Sequence, residues 1–153
     1  MRITSSAFGQ NERIPSKYTC DGENMSPPLE FLDVPENAKS LVLLMDDPDV
    51  PKSVRPDGVW DHWVVFNIPP HVRVVSENEN PPGVVGKNTR GHLAYGGPCP
   101  PIGQHRYFFK LFALDDMLDL NPDVTKSEVV LAMENHVIEH AELMGVYDRG
   151  GDV

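Results

Sequence analysis

Basic residues are scarce in this chain: 13 lysines and arginines stand against 23 aspartates and glutamates among 153 residues, for a formal net charge of −10. Nucleic acids and anionic membrane surfaces are bound through basic faces, so we expect neither as a partner. Long apolar runs are absent too. None approaches the roughly 18 residues of a membrane-spanning helix, so no stable membrane insertion is expected.

Cysteine is limited to Cys20 and Cys99. Two thiols can form a disulfide, but disulfides persist mainly in oxidising compartments. Arg2 is not followed by the apolar segment that marks a secretory signal. We therefore expect two reduced thiols and a cytoplasmic location, with a disulfide as the alternative.

Several hydrolase motifs are missing. No serine lies in a Gly-x-Ser-x-Gly turn, which argues against a Ser/His/Asp hydrolase. Neither His-Glu-x-x-His nor His-x-His occurs, so no spacing demands a metal ion, and no cofactor is expected. His136 and His140 are four residues apart but have no third ligand in register, so we interpret them as a polar helix face. No repeat or linker interrupts the chain, which predicts a single domain over residues 1–153.

Proline and glycine are abundant, at 15 and 12 residues. They are spread among short apolar runs, which indicates many rigid turns between strands. The predicted strands are rich in β-branched and aromatic residues. They cover residues 40–45, 62–68 and 106–114, with shorter ones at 2–5, 29–31 and 72–75.

The end of the chain has a different period. Thr125 and Glu128 form a capping box, which marks the start of a helix. Apolar residues then recur at helical spacing as far as Met144, and Gly145 fits a helix end. This predicts one amphipathic helix of about five turns. The fold class is therefore mainly β (α+β), with an antiparallel β-sandwich and a C-terminal amphipathic helix.

Two histidines are the candidates for a ligand site. His62 and His105 each lie beside a stiff turn and an aromatic strand, and a protonated imidazole offers N–H donors to an anion. Gly97 can add a backbone N–H because it has no Cβ to block a close approach. Either histidine alone is equally well explained as a hydrogen-bonded core residue. Together they predict a phosphate-sized anion site whose binding weakens as the pH rises through the histidine range.

Two aspartates lie close to these turns. Asp47 could accept an N–H from one histidine, or accept a proton-bearing phosphate oxygen or an amine. It could also bond only to the backbone of its own turn. For Asp49 we predict a buried ion pair with Arg106, which would otherwise carry an unpaired charge into the core.

Motifs along nearly the whole chain resemble the phosphatidylethanolamine-binding protein family, which includes the Raf kinase inhibitor proteins and a short prokaryotic branch. The motifs are Asp47-Pro48-Asp49-x-Pro51, Trp60-x-His62, Gly97-Pro98, Gly103-x-His105-Arg106-Tyr107, Ser5-Ser6-Ala7-Phe8, Ile14-Pro15-x-x-Tyr18-Thr19-Cys20-Asp21-Gly22-Glu23 and Ser26-Pro27-Pro28-Leu29. The resemblance implies a β-sandwich flanked by a few helices. It also implies a pocket that contains Asp47, His62, Gly97, His105 and Tyr107, with Trp60 and Pro98 as walls.

The predicted function is that of a non-enzymatic binding protein with a pocket for a small anion or phosphoryl group. The resemblance to kinase and serine-protease inhibitors implies a regulated protein target, and it implies a homodimer. Two alternatives stay open. One is a metal-dependent hydrolase that uses His62, His105, Asp47 and Asp49. The other is a protein-interaction module with a vestigial pocket.

Overall fold

The computed structural model describes residues 1–150, which form two antiparallel sheets packed face to face. The smaller sheet has the strand order β1-β2-β5, and the larger has the order β6-β4-β3-β7-β8. The strands are β1 (Arg2–Thr4), β2 (Leu29–Leu32), β3 (Ser40–Asp47), β4 (Trp60–Ile68), β5 (Val74–Val75), β6 (Val84–Val85), β7 (His105–Leu114) and β8 (Val137–Tyr147). A 3₁₀ helix covers Ser16–Tyr18, and one α-helix, α1, covers Lys126–Met133. Within residues 1–150, neither helix has the length and apolar character to cross a bilayer.

Strand β3 shows why the core is built around the larger sheet. Its side chains alternate between the two faces, as in any strand. Leu41, Leu43 and Met45 pack between the two sheets, whereas Val42 and Leu44 pack on the other face beneath α1. Both faces are therefore covered, which explains the continuous apolar run in the sequence.

The predicted antiparallel, mainly β fold is confirmed, and the six predicted strands correspond to β1–β5 and β7. The start of the helix is also confirmed, because α1 begins after Thr125 and the Glu128 carboxylate accepts a hydrogen bond from the Thr125 backbone N–H at 3.5 Å. Strand β6 was not predicted, because two valines are too short a signal.

The predicted five-turn helix is wrong in its extent. It ends at Met133, and residues 137–147 form strand β8, which pairs along the full length of β7. Asn135 takes a φ of 68°, in the left-handed region where helices end. His136 and His140 consequently share no helix: His136 bonds to Asp115 in the preceding turn, and His140 lies on β8.

Gly145 lies inside β8, not at a helix end. A Cβ there would come within 2.6 Å of the Ile14 side chain and 2.8 Å of the Phe8 ring. The glycine therefore allows the N-terminal segment to pack closely against the edge strand.

Candidate functional site

A cavity of about 210 Å³ opens at one end of the larger sheet. There the end of β3 lies beside the starts of β4 and β7, because both neighbours run antiparallel to it. Loops from residues 48–59 and 86–104 surround the opening. Six of the residues proposed from the sequence line this cavity: Asp47, Trp60, His62, Gly97, His105 and Tyr107.

A β-bulge sets the position of His62. Strand β4 pairs Trp63 with Met45 and Asp61 with Asp46, so His62 is the extra residue with no partner in β3. Such bulges redirect side chains and are common beside functional sites. The His62 Nδ1–H donates to the Gly96 carbonyl oxygen at 2.7 Å. This bond places the ring's proton on Nδ1, because a carbonyl oxygen can only accept.

The other nitrogen of His62 is a buried acceptor. Burial lowers the pKa of His62 to about 4, despite the opposing effects of the Gly96 carbonyl and the Asp47 carboxylate. The ring is therefore neutral near pH 7, and Nε2 presents a lone pair. Nε2 is buried and has no hydrogen-bond partner within residues 1–150. The buried site therefore disfavours the protonated ring that would make His62 a donor at Nε2.

Asp47 and His105 form a buried pair beside His62. The His105 Nδ1–H donates to Asp47 Oδ2 at 2.6 Å, and both side chains are nearly inaccessible to solvent. The second oxygen of Asp47 accepts the Asp49 backbone N–H at 2.7 Å. Two of the roles considered for Asp47 therefore hold at once: it orients a histidine and it stabilises its own turn.

Tyr107 places a hydroxyl at the same cavity. Its ring is fully buried and lies edge-on to the His62 ring, with 5.3 Å between centroids. Its Oη is buried and close to the Asp47 carboxylate, but it makes no well-formed hydrogen bond with any residue that the structure describes. Burial, followed by the negative charge of Asp47, raises the pKa of Tyr107, so the hydroxyl keeps its proton. Tyr107 is therefore a potential donor to a bound molecule.

Gly97 and Pro98 differ from their predicted roles. The Gly97 N–H donates to Asn24 Oδ1 at 2.9 Å, so it is not directed at a ligand. Gly97 is needed because a Cβ would collide with the Asn24 side chain and the Tyr18 carbonyl oxygen. Pro98 is buried outside the lining, where its carbonyl accepts the Cys20 N–H at 3.1 Å. The wall is instead formed by Cys99, Pro100 and Pro101.

The expectation of reduced thiols is also wrong. Cys20 and Cys99 form a disulfide, although 79 residues separate them in the sequence. The fold brings the two residues together because the turn that carries Cys20 packs against the rim of the cavity. This disulfide removes the cysteine-based reason for expecting a reducing compartment.

Asp49 and Arg106 pair as predicted, but not in the core. Asp49 accepts bonds from the Arg106 Nε at 2.9 Å, the Nη2 at 2.8 Å and the backbone N–H at 2.9 Å. The hydrogen bonds from Arg106 lower the pKa of Asp49. Arg106 is nevertheless 51% exposed, because the even-numbered residues at the start of β7 face away from the space between the sheets. The pair flanks the site and does not line it.

Two charged residues of the lining, Arg90 and Asp61, were missed. Arg90 lies in an exposed turn at the mouth and makes no ion pair within residues 1–150. Asp61 is paired with Lys126 at 2.8 Å, and Lys126 also contacts Asp46 at 3.2 Å. Burial alone would lower the pKa of Lys126, but these two carboxylates raise it. The negative charge of Asp61 is thus balanced by Lys126 of α1, whereas the positive charge of Arg90 stays available to a ligand.

A metal centre finds no support in the side-chain arrangement. Within the described part of the chain, no three His, Cys, Asp or Glu side chains are grouped so that they could hold an ion. The Nδ1 atoms of both pocket histidines are engaged, by the Gly96 carbonyl and by Asp47, so only their Nε2 atoms could bind an ion.

Comparisons with known proteins agree on one family. The family model described as phosphatidylethanolamine-binding protein matches residues 4–148. The UPF0098 protein of Methanothermobacter thermautotrophicus is 52% identical, and the match covers 98% of this chain and 100% of that protein. The UPF0098 protein of Chlamydia pneumoniae is 50% identical over 97% of this chain and 99% of its own length.

Solved structures give the same result. The crystal structure of a phosphatidylethanolamine-binding protein homologue from Chlamydia trachomatis superimposes with a TM-score of 0.94 at 49% identity, and the match covers 97% of each chain. Escherichia coli YbcL, described as a new member of the mammalian PEBP family, gives a TM-score of 0.86 at 30% identity. That match covers 96% of this chain and 97% of YbcL.

Proposed function

The chain belongs to the phosphatidylethanolamine-binding protein family, and from this membership we propose that it is a non-enzymatic binding protein whose pocket takes a small phosphoryl anion. The observation that carries the proposal is the pair of unpartnered polar atoms at the cavity, Tyr107 Oη and His62 Nε2. Buried polar atoms in folded proteins almost always have hydrogen-bond partners. A ligand with polar atoms at its tip would supply a hydrogen-bond partner to each of these two atoms.

Charge and size favour an anion of phosphoryl dimensions. Arg90 contributes the guanidinium among the lining residues, and planar guanidinium groups bind phosphates well. The cavity of about 210 Å³ holds a phosphoryl group with a small substituent. The aliphatic lining of Val50, Pro51 and Val54 at the mouth suits the carbon part of such a ligand.

The lining also supports binding without covalent catalysis. The residues that line the cavity include no serine, threonine or lysine, and Cys99 is held in a disulfide. A serine, threonine, lysine or free cysteine nucleophile is therefore missing from the lining. Inhibition of a kinase or a protease stays a prediction from the family resemblance.

Removal of the Tyr107 hydroxyl tests the proposal. We expect Tyr107→Phe to bind inorganic phosphate about fivefold more weakly, because one net hydrogen bond is worth about 1 kcal/mol. The melting temperature should stay close to that of the wild type, since the hydroxyl has no partner within residues 1–150. Isothermal titration calorimetry measures the affinity, and differential scanning calorimetry the stability.

Tyr95→Phe is the matched control. Tyr95 is a half-buried tyrosine whose hydroxyl donates to the Tyr18 carbonyl oxygen at 2.7 Å and lies outside the cavity. Its loss should lower the melting temperature and leave phosphate affinity unchanged. Equal phosphate affinity in Tyr107→Phe and wild type would contradict the proposal, as would stabilisation by Zn²⁺ in place of phosphate.

A further inference from the structure

We propose that the pocket selects phosphomonoesters and free phosphate in a protonated form, and discriminates against anions that carry no hydrogen-bond donor, including phosphodiesters and sulfate esters. This inference rests on the proposed function and names the ligand class of the same site. It follows from the polarity of the atoms at the cavity, which include an acceptor that an aprotic anion cannot satisfy.

His62 is that acceptor. Its Nδ1–H is committed to the Gly96 carbonyl oxygen, so Nε2 carries the lone pair, and that atom is buried and unpartnered within residues 1–150. The lowered pKa of His62 is consistent with this state. An anion without a proton would place an oxygen lone pair against the lone pair of Nε2. A P–OH group would donate to Nε2 instead.

The groups around His62 strengthen the selection. Strand β3 contributes Asp47 at the cavity and Asp46 on the opposite face, where Lys110 and Lys126 pair with it. Strand β7 contributes His105, which is bonded to Asp47, and the neutral Tyr107. The remaining charged groups at the cavity are Asp61, which is paired with Lys126 at 2.8 Å, and Arg90, on the loop at the mouth.

These charges disfavour the dianionic form of a ligand. The Asp47 carboxylate lines the cavity, so a second negative charge on the ligand would be repelled at the inner end. Tyr107 Oη and Arg90 can donate to the unprotonated oxygens. A monoanion with one P–OH group therefore matches two donors and one acceptor, whereas a diester leaves the acceptor unsatisfied.

Phosphomonoesters supply this proton under ordinary conditions. Their second pKa is about 6, so the monoanion and the dianion coexist near neutral pH. A phosphodiester is always singly charged and has no proton to donate. The presence or absence of a P–OH proton therefore distinguishes two kinds of phosphoryl ligand. Monoesters and free phosphate can carry it, whereas an intact phospholipid headgroup cannot.

The experiment compares three ligands that have the same charge and similar size. At about pH 5, methyl phosphate, methyl sulfate and dimethyl phosphate are all monoanions, but only methyl phosphate carries a P–OH group. We expect calorimetric titration of the wild-type protein to show methyl phosphate binding at least about tenfold more tightly than the other two. Above pH 6 its affinity should fall about tenfold per pH unit, as the protonated fraction falls. A methyl sulfate series reports the protein's own titration, because that ligand does not titrate.

His62→Phe adds a direct test of the acceptor. Its ratio of methyl phosphate to methyl sulfate affinity should collapse to near one, whereas His71→Phe, on an exposed turn, should keep the wild-type ratio. If His62→Phe does not fold, the wild-type comparison decides alone. Equal wild-type affinities for the three ligands would overturn the selectivity and leave the proposed function intact. Tight binding of glycerophosphoethanolamine would also overturn it, because its ammonium would then be the donor. Failure of all ligands to bind would overturn the proposed function as well.

Discussion

Replacement of both Cys20 and Cys99 by serine is expected to lower the free energy of unfolding by about 4 kcal/mol. The disulfide joins residues that are 79 positions apart, so it removes much of the conformational freedom of the unfolded chain. In the chain-entropy model the stabilisation grows with the length of the closed loop. Such a loss is a large fraction of the 5–15 kcal/mol that is typical of a folded domain.

Urea unfolding measures this effect, and reduced wild-type protein is the control. The double serine variant and the wild type in a thiol reductant should unfold at similar urea concentrations, both well below the oxidised protein. The backbone contacts beside the disulfide do not involve the sulfur atoms: Gly97 N–H donates to Asn24 and the N–H of residue 20 donates to Pro98, so we expect them in all three samples. A variant as stable as the oxidised wild type would contradict the assigned disulfide.

Asp47→Ala is expected to cost about 2–5 kcal/mol, because each buried hydrogen-bond donor left without an acceptor costs about 1–3 kcal/mol. The substitution leaves two donors without an acceptor: His105 Nδ1–H and the Asp49 backbone N–H. Both members of the Asp47–His105 pair are at most 5% exposed, so the two donors are poorly solvated once the carboxylate is lost. The loss is measured by urea unfolding of the variant and the wild type at one pH.

Two variants calibrate this result. Asp47→Asn keeps the shape and one acceptor oxygen, so a single donor loses its partner and the loss should be about 1–3 kcal/mol. Asp49→Ala removes the neighbouring carboxylate, whose partner Arg106 is half exposed and can be solvated. Asp49→Ala should therefore destabilise the protein clearly less than Asp47→Ala. If Asp47→Ala and Asp49→Ala destabilise the protein equally, the buried pair contributes no more than the exposed one.

Local patterns were sufficient to predict most of the strands and to name six of the residues that line the cavity. The apolar run of β3 and the aromatic run of β7 are long enough that their type is unambiguous. The tail was misjudged because Ala141 and Met144 fit a helical period as well as a strand. Residues 137–147 form a strand because they pair with β7, and this long-range pairing leaves no signal in the local sequence.

The chemistry of the site could not be predicted in full, because it depends on contacts between residues that are far apart in the sequence. His62 and His105 were identified correctly as a pair, but the charge state of His62 depends on burial and on the Gly96 carbonyl oxygen. The disulfide and the Gly97–Asn24 bond join segments more than 70 residues apart. Arg90 lies in an ordinary polar turn, and only the fold places it at the cavity mouth.

The protonation state of His62 is the most direct test of the proposed ligand class. Nitrogen-15 NMR of the histidine side chains, followed from pH 3 to pH 8, reports both the midpoint of titration and the protonated nitrogen. We expect His62 to titrate with a pKa of about 4 and to carry its proton on Nδ1 at neutral pH. A midpoint near the ordinary histidine value of about 6.5, or a proton on Nε2 in the neutral ring, would contradict the acceptor role.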